Sequence, residues 1–361
     1  IPAERPAQTG IQAPYFIEHI RRDVERKVGY QTFWRGGLKI HSTLDLGLQK
    51  AAEEKMEEAF FKLDEEARVE WEAKLEEDIK AGIEPPRVST SPPAKIQGIF
   101  MAMDVKSGAI RVMIGGRGDD DFNRITQAKR QPGSNFKPFI YSAALDNGYT
   151  TASLINDAPV VFEDSELESE WRPENYSGKF YGPTRLREAL VKSRNLVSIR
   201  LLQSTGIRTA IKYISKFGFD PAQLSRDLSL ALGSATLTPY DLARGYAVFA
   251  NGGYLIEPHF IARIEDSHGK ALFQADPLFA CKAEECPERP LPEPVTQEGE
   301  PLTAPPAESE AAEIEQAPER YRAATRVIDP RNVYLITSTM QDVIRRGTGR
   351  SALQLGRGDL S

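Results

Sequence analysis

Gln131-Pro132-Gly133-Ser134-Asn135-Phe136-Lys137-Pro138 sets a serine and a lysine three residues apart at the head of an apolar-periodic segment. Phe139, Ile140, Ala143, Ala144 and Leu145 continue that segment, and their spacing predicts a helix. Residues i and i+3 share a helix face, so the Ser134 hydroxyl and the Lys137 amine are expected within hydrogen-bond reach. A serine hydroxyl is a weak nucleophile until a base takes its proton, and a lysine serves as that base once burial or neighbours lower its pKa. Pro132-Gly133 turns the chain into the helix, and Pro138 falls in the first turn, where its missing N–H costs little. Ser134 then meets the positive end of the helix dipole, which favours a developing anion. Chance supplies the same spacing elsewhere. Ser267-His268-Gly269-Lys270 has it too, but lies between Ile261-Ala262-Arg263-Ile264 and Ala271-Leu272-Phe273, where a hairpin turn explains it. On spacing alone, Ser134 reads equally well as a helix N-cap.

Composition narrows the field. A chain of 361 residues with 40% hydrophobic content buries a substantial core, read as one large domain with a smaller part attached. A net charge of −6, with no dense basic run, argues against a nucleic-acid partner. The sequence has no apolar run of membrane-spanning length and no signal peptide, and because it begins at Ile1 it is read as part of a longer protein. The two cysteines, Cys281 and Cys286, fit a disulfide in an oxidising compartment better than a metal site, which would need two more ligands nearby. Four scattered histidines, His19, His41, His259 and His268, weaken a Ser-His-Asp or zinc reading. No cofactor is expected.

Along the chain, residues 1–10 read as linker, Pro14 to Ile20 open a helix, and Leu38 to Thr43 read as a strand. Asp45 is placed to cap a long amphipathic helix or helix pair in which Leu48, Ala52, Met56, Phe60, Leu63 and Ala67 recur at helical spacing. Its many Glu and Lys residues are most simply a solvated face. Pro85-Pro86 and Pro92-Pro93 mark a boundary, giving an expected linker region over 1–84 and a main domain over 85–361. Ile96–Asp104 and Ala109–Ile114 predict a hairpin turning at Lys106-Ser107-Gly108. A loop rich in acids and aromatics from Asp157 to Gly182, including Trp171 and Tyr176, is placed on the rim of a site. Thr184 is read as the cap of a short helix that stops near Ser193-Arg194-Asn195, where a second helix begins. Ser193 and Asn195 at that corner are either N-caps or polar groups set beside Ser134. Thr238-Pro239 opens another helix, Tyr254–Asp266 and Ala271–Gln274 suggest strands, and Asp329-Pro330 starts the last helix. Residues 277–319, rich in Pro, Glu and Ala, read as a loosely held acidic loop. Removal of about 287–315 should therefore leave melting behaviour nearly unchanged.

Taken together, several segments resemble the transpeptidase region of the bifunctional, class A penicillin-binding proteins. The residues that carry the resemblance begin with Gly36 to Asp45, Phe122-Asn123-Arg124 and Arg130 to Pro138. Ser193-Arg194-Asn195, Ala231-Leu232-Gly233 with Thr238-Pro239, and Gly347-Thr348-Gly349 complete the set. They occur in the family's order over nearly the whole chain.

The resemblance implies an α/β penicillin-binding or serine β-lactamase-like fold, an antiparallel sheet flanked by helices, with later strands expected beyond Ser361. It implies a D,D-transpeptidase that cross-links peptidoglycan stem peptides through an acyl-serine and is a target of β-lactams. Ser134 becomes the nucleophile, Lys137 the acylation base, and Ser193 and Asn195 the pair that relays a proton and holds the acyl chain. Gly133, Asn135, Trp171 and Tyr176 are expected to bind substrate. The family's third motif, Lys-Thr/Ser-Gly, is not found before Ser361 and is expected after it; it would supply an edge strand, an oxyanion donor and a second lysine charge. Stem peptides, β-lactams and wall-synthesis proteins are the partners implied, at the periplasmic face of the inner membrane, with the anchor outside this chain. Two other readings stand beside this one. A serine β-lactamase shares Ser-x-x-Lys, but the length, the helical segment before Pro85 and the lack of a deacylating glutamate motif count against it. A non-catalytic β-lactam sensor or scaffold is the other.

Overall fold

The computed structural model describes residues 12–82, 91–118, 121–160, 171–288 and 320–357. Its first part runs through α1 (Pro14–Val28), α2 (Tyr30–Arg35), β1 (Lys39–Ser42) and α3 (Leu46–Lys80). The chain then forms β2 (Phe100–Met103), β3 (Ile110–Ile114), α4 (Arg124–Gln127) and α5 (Lys137–Asp146). Next come β4 (Leu154–Asp157), β5 (Gly182–Arg185), α6 (Leu186–Val191), α7 (Asn195–Thr205), α8 (Ile207–Ile214) and α9 (Pro239–Ala250). The described elements close with β6 (Ile261–Glu265), β7 (Ala271–Gln274) and α10 (Pro330–Arg346).

α5 is the central helix because no face of it is fit for water. Every residue from Lys137 to Ala144 is buried, as expected for a helix that is apolar nearly all round. Phe139 sits at the hub of an aromatic cluster, its ring centroid 4.9 to 5.3 Å from those of Phe136, Phe217, Phe219, Tyr246 and Phe249. Burying a ring of this size stabilises the fold by on the order of 2–3 kcal/mol. Ser142, in the middle of the helix, is satisfied by a buried network. Its Oγ donates to Asn332 Oδ1 at 2.8 Å and lies 3.0 Å from the Tyr213 hydroxyl, while Asn332 Nδ2 donates back to the Ser142 carbonyl at 2.9 Å. A fully paired polar set in a dry core fixes one geometry, so α10 is locked against α5.

The strands are antiparallel, as expected, but they are divided among three small sheets rather than gathered in one. β1, β6 and β7 form a three-stranded sheet in the order β1-β6-β7, while β2-β3 and β4-β5 are separate pairs. Polar contacts tie the first two together: Thr43 Oγ1 donates to the Ile110 carbonyl at 2.6 Å, and Asp45 N to the Arg111 carbonyl at 2.9 Å. A second core packs Phe16, Ile20 and Val24 of α1 against Ile110, Met113, Phe260 and Ile264. Residues from both sides of the boundary expected at 84 share it.

Several local expectations meet their physical reasons here. α3 is one helix of 35 residues, not a pair, and Asp45 caps it by accepting from Leu48 N. Only Gln49 and Phe60 of that helix are buried, so its charges do form a solvated face. The turn between β6 and β7 is built by Asp266, whose Oδ1 accepts from His268 N and Lys270 N at 2.9 and 3.0 Å. Thr184 is not a helix cap. It lies in β5, its hydroxyl donates to the Gly182 carbonyl at 2.9 Å, and α6 begins after Arg185 with no side-chain cap. The strand expected from Tyr254 narrows to Ile261–Glu265, the part that finds β1 as partner. Cys281 and Cys286 are disulfide-bonded. The first eleven residues and 289–319, which include most of the acidic loop, lie outside the described residues.

Candidate active site

The segment that opened the sequence reading folds as a 3-10 turn, Gly133–Phe136, running directly into α5. Ser134 is thus set just ahead of the α-helix, and its carbonyl accepts from Lys137 N. A distant segment clamps this turn. Arg130 and Leu237 exchange both backbone hydrogen bonds, at 2.9 and 3.1 Å, and Gly133 N donates to the Gly233 carbonyl at 3.2 Å. Gly233 has φ +79°, and a Cβ there would lie 2.0 Å from the Gly133 carbonyl oxygen. Only glycine fits.

Lys137 is the buried charge of the site, with 0% of its surface exposed. Its Nζ donates to the Ser193 carbonyl at 2.8 Å, Ser193 Oγ at 3.0 Å and Asn195 Oδ1 at 2.7 Å. An ammonium has three donors and no acceptor, so these acceptors serve it completely. Burial pushes the amine down to about 8, because a dry site disfavours the charged form. The expected direct bond to Ser134 is not formed: Ser134 is exposed at the surface, and a buried ammonium left without acceptors would be costly, so Lys137 turns inward.

Ser193 occupies the corner between α6 and α7 with φ +53°, a region that non-glycine residues enter at a cost on the order of 1 kcal/mol or more. Bonds from Ser193 N to the Leu190 carbonyl at 3.0 Å and from Arg194 N to the Ala189 carbonyl at 2.8 Å hold the corner. The unusual backbone brings both the carbonyl and the hydroxyl of one residue to Lys137. Neither Ser193 nor Asn195 caps α7, whose first residue follows Arg194 with no local side-chain cap.

The cap comes from Asn175, which the sequence reading missed. Asn175 Oδ1 accepts from Asn195 N at 2.9 Å, while its Nδ2 donates to Asp157 Oδ1 at 2.8 Å and to the Lys179 carbonyl at 2.9 Å. The adjacent Glu174 carbonyl accepts from Asn195 Nδ2 at 2.9 Å. Polar residues abound in this loop, and nothing in the sequence separated this one from the rest.

A cleft of about 420 Å³ opens over these groups, lined by Ser134, Asn135, Lys137, Ser193, Tyr246 and one side of α10 that includes Met340 and Val343. Met340 and Val343 lie half-buried on one face of α10, where they line the cleft, and Met340 also packs on the main core. Tyr246, also missed, donates its hydroxyl to the Asn135 carbonyl at 2.7 Å, and burial pushes its phenol up to about 12. Gly133 and Asn135 flank Ser134. Trp171 packs on the main core and Tyr176 is fully exposed; neither lines the cleft. Among the described residues, no group of three or more His, Cys, Asp or Glu side chains gathers as a metal site.

A serine at the mouth of a cleft, a buried lysine three residues on, and a Ser-x-Asn corner around its amine together define a class. The profile of the penicillin binding protein transpeptidase domain matches residues 98–357. The chain belongs to that family. Within it, the chain is 50% identical over 281 residues to penicillin-binding protein 1A of Pseudomonas aeruginosa, covering 73% of this chain and 33% of that protein. It is 42% identical over 269 residues to penicillin-binding protein 1A of Neisseria flavescens, covering 74% of this chain and 29% of that protein. The chain thus spans about a third of the length of the curated relatives it matches. The crystal structure of penicillin-binding protein 1A from Haemophilus influenzae superposes with a TM-score of 0.70 at 25% identity, covering 96% of this chain and 60% of that one.

Proposed function

We propose that this chain carries the acylation machinery of a peptidoglycan D,D-transpeptidase, with Ser134 as nucleophile and Lys137 as general base. The observation that carries the reading is the Lys137 amine: buried, held by Ser193 and Asn195, and lowered to about 8. At that value roughly a tenth of the amine is neutral at pH 7, enough to act as a base. In the first half-reaction Ser134 Oγ bonds to the carbonyl carbon of the penultimate D-Ala of a stem peptide, and Lys137 takes its proton. The C–N bond to the terminal D-Ala breaks, and a proton delivered through Ser193 Oγ lets that residue leave as a neutral amine. In the second half-reaction an amine from a neighbouring strand attacks the acyl-serine, forming the new amide and returning the hydroxyl to Ser134. A β-lactam opens along the same first step and remains attached as the acyl-serine, because its leaving amine stays tethered to the acyl group.

The wider reading is part of the same proposal: stem peptides as substrates, wall-synthesis proteins as partners, and a position at the periplasmic face of the inner membrane. Among the described residues no helix is long and apolar enough to cross a membrane. The test is intact-mass analysis after incubation with a penicillin, on the 361-residue chain and on the full-length protein. The expected result is a gain of one penicillin mass on the full-length protein, mapped to Ser134. Rapid release of hydrolysed penicillin would mark a β-lactamase instead, and no adduct on either would leave a scaffold.

A further inference from the structure

Asp157 and Asn175 are both buried polar groups outside the proposed chemistry, at 0% and 5% exposure. Leaving such a group unpaired is costly. Among the described residues Asp157 Oδ2 has no hydrogen-bond partner, and Oδ1 is paired with Asn175, whose other bonds run into the site. Asp157 ends β4, the strand that β5 pairs with just ahead of α6. Asp157 Oδ1 accepts from Asn175 Nδ2, and the Lys179 carbonyl, which can only accept, takes the other N–H, so the Asn175 NH2 group is turned toward both. The amide oxygen of Asn175 is therefore forced toward α7, where it meets Asn195 N at 2.9 Å and lies 3.5 Å from Leu196 N. One residue earlier, the Glu174 carbonyl takes Asn195 Nδ2. With the NH2 end of Asn195 occupied there, only its oxygen is left to point at Lys137, 2.7 Å away. Two successive residues of one loop thus fix the backbone and the side chain of Asn195.

We propose that Asn175, oriented by Asp157, is a positioning residue for acylation: it caps α7 from outside the helix and sets the Asn195 amide so that its oxygen faces the Lys137 amine. This rests on the reading of Ser134 and Lys137 as the acylating pair. Asn175 touches neither of them. Its effect reaches Lys137 through Asn195.

The experiment compares penicillin acylation rates and their pH dependence in the full-length protein, wild type against Asn175→Ala and Asn175→Ser. Serine can still donate to Asp157, which spares that carboxylate a lone burial, but its single hydroxyl cannot also reach α7. It is the variant to rely on if alanine prevents folding. Both folded variants are expected to acylate at least tenfold more slowly than wild type. The rising limb of the rate against pH should also move to lower pH, because an ammonium that loses the Asn195 acceptor gives up its proton more readily. Among the described residues the Lys137 amine is hydrogen-bonded to Ser193 and Asn195, and burial lowers its pKa. The second lysine expected after Ser361 acts alike in wild type and variants, so the shift between them reports the Asn195 acceptor. A wild-type rate in the serine variant overturns the inference, as does a slower rate whose pH midpoint is unmoved, which is what a smaller folded fraction alone would give. Absence of a Ser134 adduct in wild type would instead defeat the underlying reading, so the two failures are told apart.

Discussion

The molecule contains two Ser-x-x-Lys segments, and they differ in everything but spacing. Ser267 and Lys270 lie exposed on the turn between β6 and β7, where Asp266 gathers the backbone N–H groups and neither side chain is needed. Ser134 stands at the mouth of a cleft, while Lys137 is wholly buried and surrounded by three oxygen acceptors. The spacing is the cheap part of such a site. What turns a lysine into a base is the dry pocket and the corner at Ser193 that reaches it, and both come from chain far from the motif.

That contrast can be broken or sharpened by substitution. The largest effect should be at the serines: Ser134→Ala is expected to abolish penicillin labelling with the fold intact, and Ser267→Ala to leave it untouched, as read by intact mass and circular dichroism. Next, Lys137→Met should slow acylation by on the order of 10² to 10⁴, the usual worth of a general base, whereas Lys270→Met should leave the rate unchanged. Stopped-flow acylation with a chromogenic cephalosporin measures both. The scaffold behind the first segment should register next. Phe139→Ala removes the hub of the aromatic cluster and is expected to cost about 3–5 kcal/mol. Truncating Phe61, three-quarters exposed on α3, should stay within about 0.5 kcal/mol; urea melts of the two variants give the comparison. The gentlest probe is pH. With the amine lowered to about 8 by burial, the base form gains as pH rises, so the acylation rate should climb through pH 8 and level off above it. A flat profile between pH 6 and 9 would remove Lys137 from the role.

Local rules carried the sequence reading a long way. Asp45, Thr238-Pro239 and Asp329-Pro330 announced their helices because a cap and a proline act within one turn. The hairpin at Lys106 to Gly108 was legible for the same reason. Of the site, Ser134, Lys137, Ser193 and Asn195 were visible as a motif set, though not the inward turn of the Lys137 amine, which depends on acceptors 56 and 58 residues away. Asn175 and Tyr246 were out of reach because their roles are long-range hydrogen bonds, and a polar residue in a loop carries no mark of its distant partner. Thr184 misled because a threonine ahead of an apolar run looks like a cap even when a strand has taken it. The division into three sheets was hidden because pairing partners are chosen by tertiary packing rather than by the strand's own composition.

The sheet that pairs β1 with β6 carries a consequence for biogenesis. Thr43, just past β1, bonds to the His259 carbonyl, 216 residues further along the chain. At elongation rates of about 5 to 20 residues per second, a nascent β1 waits roughly 10 to 40 s for its partner to be made. Through that interval its edge is open to wrong neighbours, while α5 to α9 are being made. The Ser134 region is completed later still, because α10, which is locked against α5 and lines the cleft, is made only after β6.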